Sequence, residues 1–277
     1  MYLPTYVSHN GALIPPEQAC ISVFNPAIYG AYGVYESMQV VHGVPFACDA
    51  HLARLAHSAD ILGLVLPADL STLARWIDEV LAVSAMPDCT LRLFALGGEN
   101  GGQSSTYLWP QPPTVYPPDY YVLGASAITF EAQRYLPEAK SLNTLSSFMA
   151  QRLARAAGVH EALLHYNGFF TEGSNSNLFA VLDGLLLTPP RPSVLAGVTR
   201  DMVLMLAKRQ AIPLAEAPLL VAKTPCWEEC FITSTSRHIM PMTAIDGRPV
   251  GSGRVGPLTW RLMNAFETHF AEQTARA

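Results

Sequence analysis

Short runs of alternating apolar and polar residues recur along the chain in pairs, and a dipeptide suited to left-handed backbone separates the members of each pair. Tyr6–His9 and Ala12–Ile14 flank Asn10-Gly11, Ala162–Tyr166 and Phe169–Glu172 flank Asn167-Gly168, and Leu178–Leu182 and Leu185–Thr188 flank Asp183-Gly184. With Asp246-Gly247 near the C-terminus, these predict a series of β-hairpins. Further strands are expected at Ile21–Phe24, from Gly33 after the glycine-punctuated Tyr29–Gly33 loop, through Val44–Cys48 after a His42-Gly43 turn, at Thr90–Leu96, over the β-rich stretch Tyr120–Phe130 and at Phe231–Ser234. Helical spacing replaces alternation in between. Asp49 reads as the cap of a helix with Leu52, Leu55, Ala59 and Leu62 inward and Gly63 as its stop. Helices also read over Leu70–Ser84, from Leu145 to a stop at Gly158 with Leu145, Phe148, Met149 and Leu153 on one apolar face, from Leu195–Asp201 through Leu206, and over Pro257–Phe270. The mixture predicts an α/β (α+β) fold.

Trp109–Pro118 holds five prolines, which excludes a helix or a central strand and reads as a stiff linker. It divides the chain into an expected N-terminal domain, 1–115, and a C-terminal one, 116–277. Half of the residues are apolar and 14% are charged, so both halves have the means to build a core. The net charge of -5, with no Lys/Arg cluster, argues against a nucleic-acid partner. No apolar run reaches membrane-spanning length and no basic-then-apolar leader opens the chain, so no membrane partner and a cytoplasmic location are expected. Cys20, Cys48, Cys89, Cys226 and Cys230 form no Cys-x-x-Cys pair and read as reduced thiols, with no metal site expected.

Lysine occurs only at positions 140, 208 and 223. Lys140 stands where an extended segment turns into a helix, at the rim of a core. A partly desolvated amine there is a nucleophile toward carbonyls; a surface or ion-paired lysine is the plainer reading. Arg54 sits at the edge of an apolar helical stripe and reads either as a packed, ion-paired arginine or as an anion ligand. Arg92 alternates with large apolar residues and faces either solvent or a cavity. Gly197-Val198-Thr199 opens a helix, where an anion seat and simple capping by Thr199 are equally good explanations. Ser234, Thr235 and Ser236 end a strand as a second run of anion-binding donors.

Taken together and in order, Tyr32-Gly-Val-Tyr-Glu36, His51-Leu-Ala-Arg54-Leu, Lys140-Ser-Leu-Asn143, Thr171-Glu172-Gly-Ser-Asn-Ser-Asn177-Leu-Phe, Thr188-Pro-Pro, Gly197-Val-Thr-Arg200-Asp and Thr233-Ser-Thr-Ser236 span nearly the whole chain. This sequence resembles the class IV (fold type IV) pyridoxal-phosphate aminotransferases, a family that includes branched-chain aminotransferases, D-amino-acid aminotransferases and 4-amino-4-deoxychorismate lyases. The resemblance implies a smaller N-terminal α/β domain, a larger β-rich C-terminal domain, pyridoxal 5'-phosphate in the cleft between them, and a homodimer acting on amino-acid and 2-oxo-acid substrates. It implies that Lys140 is the Schiff-base lysine and proton carrier, and that Glu172 lies beneath the pyridine nitrogen. Arg54 (bidentate), Val198, Thr199, Ser234 and Thr235 match the phosphate cup, Asn177 matches a cofactor-binding position, and Arg134 lies near the ring. Tyr32, Tyr35, Arg92, Ser236 and Arg237 match substrate positions. Transamination of branched-chain L-amino acids with 2-oxoglutarate is the leading expectation. Lys140-Ser-Leu-Asn143 is nearer the D-amino-acid enzymes, and the lyase is a further alternative. Thr144, Arg237 and Asn25-Pro26 depart from the branched-chain pattern, and Arg237 suggests attraction for a second substrate carboxylate.

Overall fold

The computed structural model describes residues 2–98 and 102–275. Packing divides the chain into two compact units, Met1–Thr114 with Ala139–Asn143 and Phe270–Ala277, and Val115–Glu138 with Thr144–His269. The Lys140 turn thus belongs to the first unit although it follows the proline-rich stretch.

The first unit comprises β1 (Val7–His9), β2 (Ala12–Ile14), α1 (Pro26–Gly30), β3 (Gly33–Val41), β4 (Val44–Pro45), α2 (Cys48–Leu62), α3 (Leu70–Ala82), β5 (Cys89–Leu96) and β6 (Ser105–Gln111). Its strands form an antiparallel sheet in the order β2-β1-β6-β5-β3-β4. Val34, Met38, Leu91 and Leu93 on one face pack against Leu52, Leu55, Leu73 and Ile77 of α2 and α3. The period of two sends the intervening residues Tyr35, Ser37, Arg92 and Phe94 to the opposite face, where Tyr35 pairs with Phe94 and Ser37 with Arg92.

The second unit comprises α4 (Asp119–Val122), β7 (Ala125–Glu131), α5 (Leu145–Ala156), β8 (Glu161–Tyr166), β9 (Phe169–Gly173), β10 (Asn177–Leu182), β11 (Leu185–Thr188), α6 (Val198–Arg209), β12 (Leu214–Glu216), β13 (Leu219–Leu220), β14 (Glu229–Ser234), β15 (His238–Ile245), β16 (Arg248–Pro249) and most of α7 (Pro257–Thr274). Its sheet runs β12-β11-β10-β14-β15-β7-β8-β9-β13, with β16 on β15. β7 is parallel to both neighbours, and α5 supplies the crossover to β8. Glu229 closes the start of α7 by accepting from Leu258 N (3.0 Å), Thr259 N (2.7 Å) and the Thr259 hydroxyl (2.6 Å).

The hairpins form where expected, with positive φ at Asn10-Gly11, Asn167-Gly168, Asp183-Gly184 and Asp246-Gly247. Other expectations are corrected. Among the described residues Ile21–Phe24 is in no strand; Val23 and Phe24 lie in a turn that Asn25 N–H closes on Ser22 C=O (3.0 Å). Asp49 lies inside the first turn of α2, whose cap is Ala47 in left-handed conformation. Trp109, Pro110 and Gln111 continue β6; Pro110 pairs with Leu91 of β5, beyond the end of β1, so its missing N–H breaks no ladder. Tyr120 to Val122 form the helical turn α4 rather than extended chain. The apolar face of α5 is reversed: Ser147, Ala150 and Ala154 are buried, while Leu145 and Phe148 are 68% and 61% exposed. Small residues allow the helix to lie close on Ala162 and Leu164, and this turns the large ones outward.

Candidate active site

In the first unit, Lys140 is held by its backbone. Its C=O accepts from Tyr35 N–H (3.0 Å), Leu142 N–H donates to Gly33 C=O (2.9 Å), and Ser141 bridges to Val34, so the turn lies along the free edge of β3. Lys140 Nζ stands 4.5 Å from the Tyr35 ring centroid. The Arg92 guanidinium carbon lies 5.8 Å from the same centroid and 5.8 Å from that of Phe94. Arg92 donates to the Ser37 hydroxyl (3.3 Å), and among the described residues its buried Nε has no acceptor. Burial pushes the Arg92 pKa down, against the pull of Tyr35 and Glu36. A guanidinium short of acceptors on the face that carries Lys140 has hydrogen-bonding capacity suited to a carboxylate. Tyr32 differs: its hydroxyl donates to Gly63 C=O (3.0 Å) at the end of α2.

Behind β3, fully buried Glu36 gathers the polar side of α2. Arg54 grips it with Nε on Oε1 (2.7 Å) and Nη2 on Oε2 (2.8 Å), and His51 Nδ1 approaches Oε2 at 2.7 Å. The two-pronged grip implied for a phosphate is thus made on a carboxylate. Because Glu36 offers only acceptors, the neutral His51 ring carries its proton on Nδ1. Burial raises the Glu36 pKa, but Arg54 and His51 outweigh it and hold the carboxyl well below its ordinary 4.5. Burial pushes His51 below 6.5, against Glu36. Both depressed values act in one direction. The unfolded chain takes up protons that the folded chain refuses, first at His51 as pH falls below 6.5 and then at Glu36 below 4.5. Stability is therefore full above that range and declines on acidification. The denaturant midpoint is expected to fall between about pH 7.5 and about pH 5.5, and His51→Asn should flatten that fall. An unchanged slope in the variant would remove His51 from the account.

In the second unit, buried Glu172 on β9 meets Arg134 Nη1 at 3.3 Å and accepts from Leu195 N–H at 3.2 Å. Arg134 also donates to Pro137 C=O (3.0 Å). Asn177 spends its amide on Leu195 C=O (2.8 Å), so it shapes the loop that enters α6. That helix starts at Gly197 without a side-chain cap, which excludes the capping role for Thr199. Asp201 N–H makes the first intrahelical bond, to Gly197 C=O (2.9 Å), so the N–H groups of Val198, Thr199 and Arg200 precede the helical ladder. A Cβ on Gly197 would come within 1.9 Å of Asn177 Oδ1.

Ser234 ends β14, and Thr235 and Ser236 lie in the turn after it, with Ser236 exposed and Arg237 N–H donating to the Ser234 hydroxyl (3.3 Å). Arg237 is no open cation: its Nη1 pairs with buried Glu161 at 3.0 Å, and its guanidinium carbon lies 5.3 Å from the Tyr116 ring centroid. Glu161 also accepts from the hydroxyls of Ser174 and Ser176, joining the turn before Asn177 to the turn at Arg237. The sequence reading gave no role to Glu161, His51 or Ser58. His51, Arg54 and Ser58 were detectable as a polar stripe at i, i+3 and i+7 beside the apolar stripe of Leu52, Leu55 and Ala59.

The profile of the amino-transferase class IV family matches residues 33–245. A putative branched-chain-amino-acid aminotransferase of Methanocaldococcus jannaschii is 35% identical, over 93% of this chain and 94% of the relative. A D-alanine aminotransferase of Bacillus licheniformis is 31% identical, over 98% and 99% of the two chains. Among solved structures, a branched-chain amino acid aminotransferase of Escherichia coli superposes with a TM-score of 0.90 at 28% identity, covering 98% of this chain and 96% of that one. The donor set suits the cofactor of this family: an amine for its carbonyl (Lys140), a buried carboxylate for a ring nitrogen (Glu172), and helix-start N–H groups beside Thr199 for a phosphate. The chain belongs to the class IV aminotransferases, pyridoxal-phosphate-dependent enzymes that transfer amino groups.

Proposed function

We propose that this enzyme transfers the amino group of branched-chain L-amino acids to 2-oxoglutarate. The observation that carries this reading is Arg92, with its unpartnered buried Nε, at the Tyr35 ring that Lys140 Nζ approaches. A guanidinium there suits the distal carboxylate of the acceptor acid, while the Tyr35 and Phe94 rings suit an apolar side chain. The similarity to the putative branched-chain enzyme supports the same choice. A D-amino-acid aminotransferase is the second reading, favoured by Lys140-Ser-Leu-Asn143 and by the D-alanine relative.

When bound, pyridoxal 5'-phosphate supplies a carbonyl carbon that joins the amine and a conjugated ring that accepts the electron pair released at Cα. Lys140 Nζ would hold and carry the proton that leaves the substrate Cα. Glu172 would hold the cofactor at its ring nitrogen and keep that nitrogen protonated, and Arg134 and Leu195 N–H hold Glu172 in place. Val198, Thr199, Ser234 and Thr235 would serve the phosphate, and Arg54, whose two-pronged grip holds Glu36, would serve it through its charge. Tyr32, Tyr35, Arg92 and Ser236 serve the substrate, and Arg237 shapes its turn through Glu161. Asn177 acts through Leu195.

The same reading includes a homodimer in the cytoplasm. The exposed face Leu145, Phe148, Met149 and Leu153 of α5 suits burial against a second copy. The five cysteines are all free thiols, as in a reducing compartment. Among the described residues, no helix is long and apolar enough to cross a membrane.

The test is a visible spectrum of the cofactor-loaded protein, titrated with L-leucine, L-glutamate and D-alanine in turn. Loss of the long-wavelength band with L-leucine and L-glutamate is the expected result. Loss with D-alanine alone moves the assignment to the D-amino-acid enzymes, and a band that no amino acid touches points to the lyase.

A further inference from the structure

The polar stripe of α2 ends at Ser58, which is 0% exposed. Its hydroxyl donates to Arg54 C=O one turn back (2.8 Å) and accepts from the backbone N–H of Lys140 (3.0 Å). We propose that Ser58 is the positioning residue for Lys140, fixing the lysine turn to the helix that carries Arg54. This rests on the role of Lys140 proposed above.

The geometry defines what the hydroxyl does. Its hydrogen is committed to Arg54 C=O, so a lone pair faces Lys140 N–H. The peptide on the other side of the Lys140 Cα is already fixed, because the Lys140 C=O accepts from Tyr35 N–H (3.0 Å). Ser58 and β3 thus hold the two peptide planes that flank the Lys140 Cα, one on each side. With both planes held, the direction in which the lysine side chain leaves its Cα is set, and so is the arc that Nζ can sweep beside the Tyr35 ring. Ser58 is closed to solvent, so removing its hydroxyl strips the Lys140 N–H of its acceptor inside the protein. The turn must then tilt to find another partner, and Nζ moves with it. Proton transfer requires alignment within a few tenths of an ångström, so this tilt lowers turnover while substrate binding is retained.

The experiment compares Ser58→Ala, Ser58→Cys and Thr259→Ala in the full-length, cofactor-loaded protein. Thr259 is an equally buried hydroxyl, set against Glu229 at the start of α7. It controls for a loss that is only structural. Ser58→Ala is expected to lower kcat by about 10- to 100-fold with KM within about twofold of the wild type. The pH midpoint of the cofactor's visible band should shift, and amide exchange of the 139–143 peptide in the cofactor-free protein should accelerate. Ser58→Cys, which keeps a weak acceptor at the same place, should be intermediate. Thr259→Ala should lower the melting temperature and leave kcat and the band unchanged.

Wild-type kcat and an unmoved band in Ser58→Ala, with a thermal loss like that of Thr259→Ala, would overturn the proposal. If Ser58→Ala does not fold, wild-type kcat and band in Ser58→Cys overturn it equally. Lys140→Ala separates the two levels of argument. Turnover surviving in that variant sinks the underlying role of the lysine, whereas its loss beside an unaffected Ser58→Ala sinks only the positioning role.

Discussion

Lys140→Ala is expected to lower turnover by about four orders of magnitude, because one amine both removes and returns the proton. The variant should still fold. The turn is held through Lys140 C=O, Leu142 N–H and Ser58, all of which depend on backbone atoms that alanine retains. Its melting temperature should therefore stay near that of the wild type, and pyridoxal 5'-phosphate should bind without the lysine-dependent visible band. Amino-group transfer followed by formation of the new amino acid, measured beside the spectrum, checks both statements. A variant with wild-type turnover would remove Lys140 from the chemistry. One that is inactive because it is unfolded would be recognised by its lost thermal transition.

Glu172→Gln is expected to lower kcat by about 10²- to 10³-fold, as removal of one preorganised charge partner does elsewhere. The amide keeps the size of the carboxyl and an acceptor for Leu195 N–H, so the loop before α6 should keep its course. What disappears is the negative charge that, in the proposed role, keeps a proton on a ring nitrogen. That loss also leaves the Arg134 guanidinium beside a neutral group, although its bond to Pro137 C=O remains. Glu172→Ala goes further, stripping both partners of a buried acceptor at a cost of about 3 kcal/mol or more. Turnover and denaturant unfolding measured on both variants separate the two effects. Full kcat in Glu172→Gln would show that the charge is not needed.

The residues that were legible from sequence share one property: their chemistry acts locally. Asn-Gly and Asp-Gly dipeptides impose positive φ on their own turns, so the hairpins could be placed without knowing what they pack against. Lys140 and Glu172 stood out within ordered motifs. The reversal of α5 was hidden, because helical spacing defines two faces and does not say which one meets a sheet. Ala150 and Ala154 win that place only because Ala162 and Leu164 allow close approach. The partners of α2 were hidden for a related reason. Ser58 meets a backbone N–H 82 residues away, and Glu36 satisfies Arg54 and His51 from a neighbouring strand. Arg237 looked like a cation available to substrate because buried Glu161, 76 residues upstream, cannot be inferred from the turn itself.

The path of the chain between Glu138 and Thr144 also governs how the protein can be made. The first unit receives Ala139–Asn143 only after the second has begun, and Phe270–Ala277 only at the end. A growing chain emerging from the ribosome therefore cannot complete its N-terminal unit as an early, self-sufficient intermediate. The edge of β3 beside Gly33 and Tyr35 waits for residues synthesised about a hundred positions later, which raises the mean sequence separation of native contacts and slows folding. A cut after Thr114 would likewise yield an N-terminal fragment with that strand edge bare and prone to pairing with other chains.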